Sequence, residues 1–162
     1  MKITGFYTLS QSYIEIIKKA GGKYDDEKSR PVYCCFQDEL NENIFWAIPT
    51  SSITPSKLER VKRYCAYKTS DIRSCYYHIG HTNKPAIFKV SSAMPVTREY
   101  ITEFISKGEH LGLENNKMIA ELNRKLRRIL VVENAHPNKF EQHITAIYNC
   151  LTQKQNKGEQ KQ

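Results

Sequence analysis

The chain has no apolar run approaching the roughly 20 residues that a membrane helix needs, so a spanning segment is excluded from its sequence of 162 residues. Its first residues, Met1-Lys2-Ile3-Thr4-Gly5, open a strand-like segment and lack the long apolar core and small-residue cleavage site of a secretion signal. A cytoplasmic location is the expectation. No Cys-x-x-Cys pair with a matching second pair occurs among Cys34, Cys35, Cys65, Cys75 and Cys150, which argues against a structural zinc site. The cysteines are odd in number and read as reduced, mostly buried thiols. No His-x-x-x-His pair occurs, and carboxylates are scattered rather than gathered near strand ends. A metal nuclease is not indicated, and no cofactor is. The glycine-rich frame of a phosphate loop or a hydrolase elbow is missing, as are RRM, KH and zinc-finger signatures. No repeat and no internal linker breaks the chain.

What is present is a formal net charge of +8 in a chain of ordinary hydrophobic content, 40%. Such an excess points to an anionic partner, of which nucleic acid is the commonest. The most informative stretch is Ile44-Phe45-Trp46-Ala47-Ile48-Pro49-Thr50-Ser51-Ser52. An apolar, strand-like run stops at a proline and delivers three hydroxyls in a row. Residues just past a buried strand stand at the surface on a rigid base. Three short donors there can hold a phosphate or a developing anion, or simply end a strand and cap a helix.

Patterning places a strand at Ile3 to Thr8, then a helix from about Gln11 to Ala20 capped by Ser10 and ended at Gly21-Gly22. A polar loop from Lys23 to Arg30 leads to a strand at Val32 to Phe36 and a hairpin turn at Asp38 to Asn43. Thr54-Pro55 starts a short helix with Lys57, Arg60, Lys62 and Arg63. Strands are expected at Cys75 to Ile79, at Ala86 to Val90 and at Met94 to Val96. Thr97 would cap a helix with Tyr100, Ile101, Phe104 and Ile105 on its inner face, closed near Gly108. Met118, Leu122, Leu126 and Ile129 stripe a helix over 117–130, and a last helix begins near Asn138 with Phe140, Ile144, Ile147, Tyr148 and Leu151 inward. Residues 153–162 read as a disordered polar tail. The expectation is one α+β domain over 1–152: a small, strongly twisted antiparallel sheet or partial barrel wrapped by helices.

Five basic residues against one acid mark the segment from Lys117 to Arg128. Lys117, Arg124 and Arg128 oppose the apolar stripe, with Lys125 and Arg127 beside them. Like charges that close repel, so a nucleic-acid backbone would compensate them. Tyr64, Tyr67, Tyr76 and Tyr77 interleave with Lys62, Arg63, Lys68 and Arg73, a pattern suited to single strands. Tyr7 and Lys84 complete the candidate RNA-binding set. RNA is cut without metal when its 2′-hydroxyl attacks the adjacent phosphate, given a base, donors and cations for the phosphorane, and an acid for the leaving oxygen. Thr50, Ser51 and Ser52 are candidate donors, Lys57 a cation, and His78 and His81 candidate proton carriers. The competing reading is a non-catalytic RNA-binding module built on the 117–128 helix and the tyrosines.

Phe6-Tyr7-Thr8-Leu9-Ser10 with Tyr13-Ile14, then Ala47-Ile48-Pro49-Thr50-Ser51, then Ser92-Ala93-Met94-Pro95-Val96 and two C-terminal amphipathic helices resemble, in this order, the ToxN/AbiQ endoribonucleases. These are the toxins of type III toxin–antitoxin systems, and the CptN-like branch is the most similar. The resemblance implies a MazF/Kid-like fold with added helices. It also implies metal-independent cleavage of single-stranded RNA, including cellular mRNA, to 2′,3′-cyclic phosphate and 5′-hydroxyl ends. The implied partner is an RNA antitoxin of tandem repeats, cut into pseudoknots that occupy and inhibit the toxin in a closed protein–RNA assembly. The implied role is phage defence or plasmid maintenance. One departure stands out: a lysine closely follows the Thr-Ser pair in such toxins, whereas Ser52-Ile53 stands there here and the next lysine is Lys57.

Overall fold

A computed structural model describes residues 1–24 and 30–160; residues 25–29 of the expected loop lie outside the described part. In chain order the elements begin with β1 (Phe6–Leu9), α1 (Gln11–Lys19), β2 (Val32–Gln37), β3 (Phe45–Ser52) and α2 (Pro55–Cys65). Next come β4 (His78–His81), β5 (Pro85–Phe88), β6 (Met94–Val96), β7 (Ile101–Glu103), β8 (Ile105–Ser106) and β9 (Glu109–His110). Two long helices close the chain, α3 (Asn116–Ala135) and α4 (Ile144–Gln160).

The fold is mixed α+β around a seven-stranded sheet in the order β4-β5-β3-β2-β1-β7, with β6 as a further neighbour of β3. Every pairing is antiparallel, and the sheet stays open, ended by β4 and β7. β3 is the organiser. Its apolar half is buried on both faces, because alternate residues serve different cores. Trp46 and Ile48 join the cluster under α3, with Phe6, Tyr33, Phe88, Leu122, Leu126 and Ile129. Phe45 and Ala47 join the cluster under α1 and α4, with Tyr13, Ile17 and Ile147. Cys34 and Cys35 divide between the same two clusters, and the register of β2 on β3 shifts between Cys34 and Phe36. All five cysteines are free thiols, with Cys34, Cys35 and Cys75 buried.

Three elements differ from the sequence expectation: the strand expected at Cys75 to Ile79, the helix after Thr97 and the last helix. The first is a 3-10 turn at Ile72–Cys75, capped by the Asp71 side chain, and the strand β4 begins only at His78. The segment after Thr97 is not a helix: one 3-10 turn at Arg98–Tyr100 leads into β7, which pairs with β1 from Tyr7↔Glu103 to Leu9↔Ile101. Its apolar spacing also suits a strand, and β1 presents an edge whose backbone groups need partners. Gly108, expected to end that helix, turns the β8–β9 hairpin instead, with φ +81° in the left-handed region that glycine adopts without strain. α4 starts at Ile144 rather than near Asn138. Asn138 and His143 have positive φ, which no helix continues through, although the Asn138 side chain still accepts from the Ala146 N–H. Finally, α4 runs on to Gln160, so most of the expected polar tail is helical. Extending a formed helix costs little once it is nucleated, and Gln155 accepts a hydrogen bond of 2.9 Å from the Asn41 amide. Residues 161–162 lie outside the described part.

Candidate active site and the cationic surfaces

β3 has two neighbours on one side, β6 along Phe45 to Ala47 and β5 along Thr50 to Ser52. Pro49 stands at the seam between them. It has no N–H to leave unpaired there, and its carbonyl accepts from the Lys89 N–H at 2.9 Å. Beyond the seam the strand turns polar. Thr50 is buried and its hydroxyl donates to the Pro31 carbonyl at 2.7 Å, so it fixes the strand end rather than meeting a ligand. Ser51 and Ser52 are half-buried and alternate to opposite faces.

Two clefts meet at Arg30, Pro31, Thr50 and Ser51. The smaller, about 90 Å³, is walled by Lys23, Tyr24, Arg30, Ser51, Lys57 and Lys89. The larger, about 470 Å³, joins Ser52, Asn83 and Lys84 to an apolar interior of Phe6, Phe104 and Leu111. Lys57 reaches the smaller cleft from the first turn of α2, whose N-cap Thr54 accepts from the Lys57 N–H at 3.4 Å, with Pro55 leading the helix. The described lining of both clefts holds lysine, arginine and hydroxyl groups but no carboxylate. Among the described residues, no three His, Cys, Asp or Glu side chains gather as a metal site.

Lys89 and Arg30 were missed by the sequence reading. Lys89 had a signal: it is the one cation in the apolar run Ala86 to Val90 and alternates onto the same face as Ile87, the cross-strand partner of Ser51. Arg30 had none beyond its place before Pro31.

Neither candidate histidine lines the clefts. His78 points to α3, where the buried Lys125 ammonium donates to the Tyr77 carbonyl at 2.9 Å and meets His78 Nδ1 at 3.2 Å. Burial first, then the Lys125 charge, pushes the His78 pKa down to about 4, so its imidazole is neutral. Burial likewise lowers that of Lys125. His81 is exposed at the end of β4, its Nδ1 2.8 Å from the Thr82 carbonyl.

The candidate RNA-binding residues divide as sharply. Lys84 lines the larger cleft, while Lys62, Arg63, Lys68 and Lys117 are exposed outside both. Tyr7 is buried, its hydroxyl tied to the Lys2 backbone N–H and carbonyl. Lys125 is buried as described, against the expectation that it flanks a solvated face. Arg124 pairs with Glu121 at 2.9 Å, and Arg127 pairs with Glu39 at 3.3 Å while lying over the Phe36 ring. Arg128 donates to the Thr69 and Ser70 carbonyls. Four of the five cations of this segment thus have a partner within the protein, a carboxylate for Arg124 and Arg127 and neutral acceptors for Lys125 and Arg128. Tyr64 lies at the centre of an aromatic group, stacked on Tyr76 at 5.6 Å, with Tyr67 and Tyr77 within 6.1 Å and Arg73 over Tyr67. Tyr64 and Tyr76 stack face to face, while Tyr67 stays exposed and the other three tyrosines are half-buried.

No family model matches the chain, and no curated protein matches it. Among solved structures, AbiQ, a lactococcal anti-phage endoribonuclease of a type III toxin–antitoxin system, is similar at TM-score 0.67 and 14% identity, over 94% of this chain and 98% of that one. A second structure, from a bacterial antiviral system regulated by a processed non-coding RNA, is similar at TM-score 0.44 and 16% identity, over 92% of this chain and 86% of that one, too distant to carry an argument. The chain has an AbiQ-like fold along nearly its whole length.

Proposed function

We propose that the protein is a metal-independent endoribonuclease that cuts single-stranded RNA at the Ser51 clefts. The observation that carries this reading is the convergence on Ser51 of two clefts walled by Arg30, Lys57, Lys84 and Lys89, with no carboxylate in their described lining. The cations and hydroxyls of that lining attract a phosphodiester and offer donors where charge grows. The full-length likeness to an anti-phage endoribonuclease supports it.

In this reading the smaller cleft holds the scissile phosphate. The Ser51 hydroxyl donates to a non-bridging oxygen, and Lys57 and Lys89 balance the second negative charge of the phosphorane. The ribose 2′-oxygen bonds to phosphorus and gives its proton to water, since the described lining holds no imidazole or carboxylate to take it. The P–O5′ bond breaks, and an ammonium group of the cleft protonates the leaving oxygen. The products are a 2′,3′-cyclic phosphate and a 5′-hydroxyl. Orientation and charge stabilisation supply the acceleration.

By the same reading the protein is the toxin of a type III system acting in the cytoplasm. A tandem-repeat RNA antitoxin is its substrate and, once cut into pseudoknots, its inhibitor within a closed protein–RNA assembly. Phage defence or plasmid maintenance is the role. The competing module built on the 117–128 helix is weakened by the internal partners of Arg124, Lys125, Arg127 and Arg128.

The test is purified protein with chelator and an unstructured transcript. Cyclic-phosphate ends from the native chain, and intact RNA from an equally stable Ser51→Ala variant, are expected. Intact RNA with the native chain would refute the reading.

A further inference from the structure

We infer that the larger cleft receives the nucleobase next to the scissile phosphate, and that Asn83 reads the edge of that base. The inference rests on the endoribonuclease reading and extends it from chemistry to sequence choice.

The larger cleft is divided in character. Its interior is Phe6, Phe104 and Leu111, and its rim is Ser52, Asn83 and Lys84. A phosphate does not belong on an apolar floor, because it would lose hydration without gaining a partner. A flat ring with a polar edge does. About 470 Å³ lies within the roughly 300–1,000 Å³ usual for sites that bury small organic groups. Ser51 lines both clefts, so a phosphate held in one and a base held in the other belong to adjoining parts of one RNA strand.

Asn83 is the rim group fitted to read. Its Oδ1 accepts from the Thr82 hydroxyl at 2.9 Å, and its Nδ2 donates to the Ser106 hydroxyl at 3.3 Å. A carboxamide has two N–H donors and two acceptor lone pairs. These bonds use one of each. One N–H and one lone pair remain for a ligand, and a carboxamide that turns this pair toward a base edge engages an acceptor and a donor there. Ser106 belongs to β8 and Thr82 to the β4–β5 turn, so the amide is held between two hairpins before any RNA arrives. Lys84 next to it meets the backbone, which carries no sequence information.

The test sequences the ends produced from a randomised single-stranded RNA pool. The native chain should show a strong base preference at one position beside the cut. Asn83→Asp replaces the remaining N–H by an acceptor, so preference there should move, by about tenfold, to guanine, whose Watson–Crick edge presents two adjacent donors. Asn83→Ala should flatten that position alone. Ser106→Ala, which loosens the amide without removing it, should broaden it in part. Native cut-site distributions in the Asn83 variants would overturn the base reading and leave the endoribonuclease reading standing. Loss of cleavage at every sequence in folded Asn83 variants would move Asn83 into the chemistry and likewise overturn it. A native chain that cuts nothing removes both.

Discussion

The outer side of α3 and the end of β3 both carry several cations, and they differ in what those cations face. On α3, Arg124 and Arg127 meet carboxylates, Arg128 meets backbone carbonyls, and Lys125 is folded inward. At the end of β3, Lys57 and Lys84 line clefts whose described walls hold no carboxylate, and neither takes part in an ion pair among the described residues. The denser cluster in the sequence is therefore the less available one in space. A cation engaged by its own protein must lose that partner before it can hold a phosphate. A cation without an ion pair has no such partner to give up, and among the described residues Lys57 and Lys84 have none.

Ser51→Ala offers the largest effect. Removing one donor to a developing oxyanion costs about 10²–10³-fold in rate. Cleavage of end-labelled RNA should fall by that much while the melting temperature stays that of the native chain, because Ser51 is half-buried and its removal leaves the backbone pairing with Ile87 intact. Alanine at Arg124 should leave the rate alone. If the two effects are reversed, the site belongs on α3.

Salt dependence sharpens the same contrast. Each phosphate contact on a single strand contributes about −0.7 to the slope of log affinity against log salt. Removing Lys57 and Lys84 together should reduce the slope for RNA binding by roughly 1.4. Removing Arg124 and Arg127 together should leave it unchanged, since their charges are matched at 2.9 Å and 3.3 Å by Glu121 and Glu39. Titrations at several salt concentrations decide between the two surfaces.

The sequence made the β3 run legible because burial on both faces needs continuous apolar residues, and the hydroxyls after Pro49 cannot be buried in the same way. The α3 stripe was legible for the related reason that Met118, Leu122, Leu126 and Ile129 repeat at helical spacing. The segment after Thr97 was not, because Tyr100, Ile101, Phe104 and Ile105 fit a helix while the open edge of β1, a long-range fact, selects a strand. In the site, the hydroxyl run and Lys57 could be read from local signals of strand end and helix cap. Lys89 and Arg30 arrive through pairing of β5 and through Pro31, distant in sequence. The histidines misled because a imidazole in a strand gives no sign of which face it takes; cross-strand pairing with Phe88 turns His78 toward the core.

Lys125 separates structure from binding on α3 itself. Lys125→Met keeps the aliphatic stem but leaves the Tyr77 carbonyl and His78 Nδ1 without their donor. A buried acceptor left unmatched costs about 1–3 kcal/mol, so urea unfolding should show that loss. RNA affinity per folded molecule should not change, in contrast to the Lys57 and Lys84 pair. A loss of affinity at full stability would return Lys125 to the binding surface.

The smallest effect concerns pH, and it too belongs to the inward side of α3. His78 has its pKa lowered from 6.5 to about 4 by burial and then by Lys125, with Arg124 adding in the same direction and Glu121 opposing. An unfolded chain takes up a proton near pH 6.5 that the folded chain refuses until about pH 4. Stability from this group is thus complete above pH 6.5 and is lost progressively as pH falls toward 4. The lone pair on Nδ1 that faces the Lys125 ammonium is what protonation removes. His78→Gln supplies an acceptor that does not titrate there. Its stability relative to the native chain should rise as pH falls from 6.5 to about 4 and stay constant above that window. Carboxylates elsewhere act equally on both chains, so the difference isolates this imidazole. A difference that stays flat across the window would mean that His78 titrates normally and does not face the α3 ammonium.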